Sequence, residues 1–160
     1  MNTGKNRDTP LVFISYARED NNPRGSKKGW LDWLLQHLKR PLEKAGIELF
    51  IDDTIITGEY SPKIKAALER TTAAVLLLSP AFMDSDYIIE RELPVLIARY
   101  QTKKLDFFPL LVSACSWDIL PVDYHDPLDN NSKAQFKLSR LLLAGQNPEH
   151  PLDSVPDSEV

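Results

Sequence analysis

Ala73-Ala74-Val75-Leu76-Leu77-Leu78-Ser79-Pro80 is the stretch that decides the fold. Six apolar residues in an unbroken run, stopped by a Ser-Pro pair, lack the alternation of a strand with one wet face. Such a run is a strand covered on both sides, and it belongs at the centre of a parallel sheet. Leu11-Val12-Phe13-Ile14, ending at Ser15, has the same character, and further strands are expected over 47–51 and 107–112. The intervening text is helical. Trp30, Leu34, Leu38 and Leu42 recur every four residues beside Leu31 and Leu35, which predicts an amphipathic helix over 28–45. Gly46 supplies its stop, and Pro41 disturbs its last turn. Ser61-Pro62 reads as an N-cap with proline in the first turn, and Ile64, Ala67 and Leu68 give that helix an inner face. Leu93, Leu96, Ile97 and Tyr100 mark a third helix.

Strands and helices in strict alternation define an α/β class with a parallel sheet wrapped by helices, because right-handed crossovers place a helix between each parallel pair. Beyond Val112 the text is irregular. A last helix is expected over 132–144, carrying Phe136, Leu138, Leu141 and Leu142, and no fifth strand is evident before it. The organisation expected is a disordered start over 1–9, one domain over 10–145, and a Pro-rich acidic tail or linker over 146–160.

Composition narrows the function classes. A chain of 160 residues, 42% hydrophobic and 26% charged, builds one ordinary globular core. A net charge of −4 and a pI near 5.4 give no general attraction for nucleic acid or anionic lipid, and the short cluster Arg24, Lys27, Lys28 has no interleaved aromatic platform. Cys115 is the only cysteine, so no disulfide forms within the chain, and a reducing compartment fits. His37, His125 and His150 are scattered without metal-ligand spacing, so no metal is expected. No apolar run is long enough to span a bilayer. A cytoplasmic domain is expected, with no nucleic-acid or membrane partner.

Phe13-Ile14-Ser15-Tyr16-Ala17-Arg18-Glu19-Asp20 resembles the first box of the TIR (Toll/interleukin-1 receptor) domain family. Asp53, Ile56 and Gly58, then Ala67-Leu68, Ala74 through Phe82, Ser85-Asp86-Tyr87 and Glu92-Leu93 follow in the order of bacterial TIR domains. The resemblance spans residues 10–115. It implies a flavodoxin-like three-layer domain with strand order 2-1-3-4-5 and a site over the carboxyl ends of the strands. It also implies one of two functions. The first is cleavage of NAD at the nicotinamide–ribose bond, giving ADP-ribose or a cyclised form, in bacterial antiviral defence and on self-association as a homo-oligomer or filament. The second is a non-catalytic scaffold acting through other TIR domains. NAD is a substrate in the first case, and no cofactor is implied in either.

Periodicity places Glu90 and Glu92 on opposite edges of one apolar stripe and does not choose between them. The resemblance chooses Glu92 as the catalytic carboxylate, because the family's glutamate directly precedes a leucine. Its position near a helix start would keep it ionised. The loop Ser15-Tyr16-Ala17-Arg18 follows the first strand, where its N–H groups can meet a diphosphate and Arg18 either pairs with it or bridges Glu19 or Asp20 on the surface; the resemblance adds Asp52, Ile56 and Gly58, in a loop over 52–59 that covers the nucleotide and contacts the next TIR domain, and Tyr87. Enzymatic members often carry an aromatic four residues before the glutamate, where this chain has Ile88 and Tyr87 stands one step away. A phospho-accepting receiver would end its first and third strands in acids, whereas these end in Ser15 and Ser79; a flavodoxin would replace Tyr16-Ala17-Arg18-Glu19 with a small phosphate loop.

Overall fold

The computed structural model describes residues 9–51 and 61–154. Four parallel strands, β1 (Leu11–Ser15), β2 (Glu48–Ile51), β3 (Ala73–Leu78) and β4 (Asp106–Leu111), form one sheet in the order β2-β1-β3-β4. Phe13 sits level with Phe50 and with Ala74, and Leu76 with Pro109. The unbroken apolar run of β3 therefore lies at the centre, buried on both faces.

Alternate residues feed two cores. Phe13, Ala74, Leu76, Leu78 and Leu111 pack on one face with Ile64 and Leu68 of α2 (Pro62–Arg70) and with Leu93, Leu96 and Ile97 of α4 (Leu93–Gln101). Ile14, Val75, Leu77 and Val112 pack on the other with Trp30, Leu31 and Leu34 of α1 (Trp30–Lys44). α1 contains Pro41 within its last turn and stops at Gly46, whose φ of +71° lies in the left-handed region that glycine enters at no steric cost. Ser61 caps α2 by accepting the Ile64 N–H at 3.3 Å. The short α3 (Pro80–Met83) is capped in the same way by Ser79, which accepts from the Phe82 N–H at 3.0 Å.

The carboxyl-terminal third departs from expectation twice. The helix expected over 132–144 is instead β6 (Ser132–Lys137), paired antiparallel with β5 (Pro121–Asp126). A turn with Asn130 and Asn131 in the left-handed region joins them. Val122, Tyr124 and Phe136 alternate inward onto the α4 face, while Asp123, His125, Lys133 and Gln135 stay exposed. That period of two belongs to a half-buried hairpin.

The second departure is that the described parallel sheet ends at β4, so the order 2-1-3-4-5 becomes 2-1-3-4. Pro109 gives the reason. The Asp106 N–H donates to Thr72 and the Val112 N–H to Leu78, so even-numbered residues face β3 and odd-numbered ones face outward. Pro109 thus points its missing donor to the side where a fifth strand would pair, and proline in a sheet is confined to such edges.

Candidate functional site

The carboxyl ends of β1 and β3 present two serines, Ser15 and Ser79, both almost fully buried. Ser15 Oγ donates to Glu92 Oε1 at 3.1 Å across 77 residues of sequence. Glu92 has no exposed surface, whereas Glu90 is exposed. The structure thereby separates two carboxylates that periodicity left equivalent.

A local change of helical pitch sets the direction of Glu92. Ser85 begins this helical run, accepting the Ile88 N–H on Oγ at 3.3 Å and the Ile89 N–H on its carbonyl at 3.0 Å. Over Ile88–Glu92 the chain then widens into a π-turn, with the Leu93 N–H reaching back to Ile88. Pro94 accounts for the widening. It has no N–H to give Glu90, and its ring crowds that carbonyl, so the turn opens to relieve the contact. Glu92 therefore lies deep within the helical run at the join of π-turn and α4. α4 itself begins at Leu93 with Glu92 as its N-cap, so the expected helix start is local although helical turns precede it, and Ser15 is one partner the fold supplies.

The turn after β1 is held by contacts that the sequence did not announce. Arg18–Asn21 forms a 3₁₀ turn. Asp20 accepts from Ser79 Oγ at 2.5 Å, and Asn21 Oδ1 accepts from the Asp32 N–H of α1 at 2.9 Å. Gly29 meets this turn so closely that a Cβ would fall 2.2 Å from the Asn21 carbonyl oxygen, which no side chain permits. Burial pushes the Asp20 carboxyl above its ordinary range; the Ser79 hydrogen bond pulls it down and the Glu19 charge pushes it up.

Of the residues expected at the site, Tyr16 and Ala17 are buried and turn into opposite cores, Tyr16 toward Trp30 and Ala17 toward Phe82. Arg18 is exposed and lines a cleft of about 450 Å³ with Ala17, Glu19, Ala81, Asp84 and Ser85. Tyr87 is half-buried, and Ile88 beside it is fully enclosed. Asp52, Ile56 and Gly58 lie outside the described residues. Ser15 and Glu92 are joined directly, while Arg18 occupies the cleft alongside.

A somewhat larger hollow, about 510 Å³, is lined by Glu90, Pro94, Asp123, His125 and Lys133 between the hairpin and the π-turn. Glu92 lines neither hollow. We place the site at the strand ends because open parallel sheets bind ligands there, and because that is where the buried carboxylate is held.

Sequence reasoning missed the Ser79–Asp20 pair. Its signal was a polar residue ending each central strand with an acid just past the first. Cys115 is half-buried, and burial pushes its thiol up; a backbone hydrogen bond at Trp117 lowers it, while Asp118 and Asp20 raise it further. A thiol so held is no activated nucleophile. Among the described residues no cluster of His, Cys, Asp or Glu is able to hold a metal ion. No described helix is long and apolar enough to cross a membrane.

A parallel α/β sheet with a carboxylate held beneath its carboxyl edge puts the candidate site where open sheets of this class bind their ligands. The chain belongs to the TIR domain family, whose model matches residues 12–142. The TIR domains in a structure of the activated Roq1 resistosome directly recognizing the pathogen effector XopQ are similar at 23% identity. That likeness covers 64% of this chain and 57% of that one, with a TM-score of 0.48. A comparison with curated proteins gives no match.

Proposed function

We propose that this TIR domain cleaves NAD at the nicotinamide–ribose bond, as an effector in bacterial antiviral defence that works on self-association. The observation that carries the reading is the carboxylate of Glu92, held by Ser15 Oγ at 3.1 Å beneath the carboxyl edge of the sheet.

The chemistry asks little more of the protein. The C1′–N bond of NAD breaks with both electrons passing to the pyridinium nitrogen, so nicotinamide leaves neutral and needs no general acid. The ribose left behind is an oxocarbenium ion, like that of glycosidases. Glu92 would face that developing positive charge, and a fixed carboxylate in a water-poor site stabilises it strongly. Water then adds at C1′ and loses a proton, giving ADP-ribose, or a nitrogen of the adenine adds instead and gives a cyclic product. Arg18, in the cleft beside β1, would pair with the diphosphate.

Burial of Glu92 carries its own consequence. A side chain with no exposed surface reaches substrate only after its cover moves, so the isolated domain is nearly idle and association opens the site. Nicotinamide release, measured from dilute to concentrated protein and on a clustering scaffold, should rise per molecule with association. A rate per molecule that does not change with concentration refutes the activation step. The same burial favours a second reading, a scaffold that signals through TIR–TIR contacts and never exposes Glu92. Absence of nicotinamide release even from clustered protein selects it.

A further inference from the structure

Residues 144–146 lie on the outward edge of β4 much as a strand would, and the chain following them returns to the sheet just past the end of β4 at Asp153. The Ala144 N–H donates to the Pro109 carbonyl at 2.8 Å. Gln146 then uses its side chain in place of a backbone: Oε1 accepts from the Leu111 N–H at 2.7 Å, and Nε2 donates to the Leu111 carbonyl at 3.2 Å. One carboxamide thus reproduces the paired bonds that a neighbouring strand would make to one residue. Just past the end of β4 the Asp153 N–H donates to the Val112 carbonyl at 2.9 Å, and Ser113 Oγ donates to the Asp153 carboxylate at 2.5 Å, which ties the segment's far end down. The segment also straddles the sheet edge, with Leu143 packed against the α4-side core and Leu152 against the α1-side core.

We infer that this segment is a strap guarding the β4 edge, and that its release turns the edge into a docking surface for a second copy of the chain. An open sheet edge templates strand addition, and proteins cover or interrupt such edges to prevent it. Here the interruption is Pro109 and the cover is the strap.

The edge is self-complementary. The backbone groups of Phe107, Pro109 and Leu111 point to the open edge, so an antiparallel pair of β4 strands centred on Pro109 sets Phe107 of each copy against Leu111 of the other. Each of those two pairs makes two backbone bonds, and only the central position lacks donors. The two-fold arrangement is closed and isologous. An apolar gain accompanies it, because Phe108, beside this edge on the α1 side of the sheet, is 47% exposed. The inference rests on the edge alone and does not depend on NAD cleavage.

The test uses the full chain with Gln146→Ala and Asp153→Pro, which removes the Leu111 and Val112 contacts of the strap without shortening the protein. Hydrogen exchange should be on the order of tenfold faster at the Leu111 amide. The inward-facing Val112 amide, bonded to Leu78 at 2.8 Å, should keep wild-type protection and so report that the sheet is intact. Sedimentation should show a dimer that forms at concentrations where the wild type is still monomeric, and adding Pro109→Val, which restores the central donors, should tighten it. Unchanged exchange at Leu111 overturns the strap. Faster exchange in a protein that stays monomeric, or a dimer indifferent to Pro109→Val, overturns the docking surface.

Discussion

Replacing Glu92 by Gln keeps volume and an acceptor for Ser15 Oγ, so the fold around a fully buried site is retained while the charge is lost. If the carboxylate supplies about 3–4 kcal/mol of transition-state stabilisation, nicotinamide release falls on the order of a hundredfold to a thousandfold. Ser15→Ala removes a single buried hydrogen bond to a charged group, about 1.5–3 kcal/mol, and lowers the rate roughly 10- to 150-fold if the contact serves to aim the carboxylate. The double variant separates the roles. A positioning serine has nothing left to position once the charge is gone, so Ser15→Ala with Glu92→Gln is no slower than Glu92→Gln alone. Glu90→Gln is the control, because Glu90 is exposed on the hairpin side of the turn. The assay is nicotinamide release at matched oligomeric state, with circular dichroism and thermal melts to verify folding. Full activity in Glu92→Gln, or loss confined to Glu90→Gln, refutes the assignment of the carboxylate. Multiplicative losses in the double variant refute a positioning role and return Ser15 to direct contact with substrate.

Arg18→Ala should chiefly raise KM, by a factor of about 10–150 for a charge-assisted contact, and an unchanged KM in steady-state kinetics removes Arg18 from the site. Asp20, whose carboxyl is raised by burial above its ordinary 3.8, binds its proton more tightly when folded, so stability falls as pH climbs from that value through the raised one. Asp20→Asn keeps an acceptor for Ser79 without the charge and should melt higher than wild type near neutral pH. The gap should narrow below pH ~4, and thermal melts across that range check it. Pro94→Ala restores an N–H that Glu90 can accept, closing the π-turn toward α pitch. It should raise the melting temperature while costing nicotinamide release, and a variant that is both more stable and fully active refutes the link between pitch and site.

How much of this was legible depends on how far each signal is local. β1, α1, β2, α2, β3 and β4 follow from apolar runs, four-residue periodicity and caps such as Ser61-Pro62, all of which act within one element. The hairpin was missed because Phe136, Leu138, Leu141 and Leu142 fall at spacings a helix accepts. The period of two is spread over both strands of the pair, as Val122 and Tyr124 against Ala134 and Phe136. The end of the sheet was in plain sight. Proline in the middle of an apolar strand is compatible with an edge and not with a centre, and Pro109 says so once its register is known.

The site was legible to a different degree, because its two halves rest on different physics. That the carboxylate just before Leu93 is the candidate came from resemblance; that it turns inward came only from three dimensions. An ideal helix through 86–101 would leave Glu90 and Glu92 at opposite borders of the apolar stripe. The π-turn breaks that symmetry by adding a residue to one turn, so Ile88 and Glu92 both face the core while Glu90 and Arg91 stay outside. The cause is again a proline, Pro94, acting one turn upstream on the carbonyl it cannot serve. Two prolines therefore account for what periodicity misjudged: Pro109 ends the sheet where the strap must take over, and Pro94 turns one of two equivalent glutamates toward Ser15.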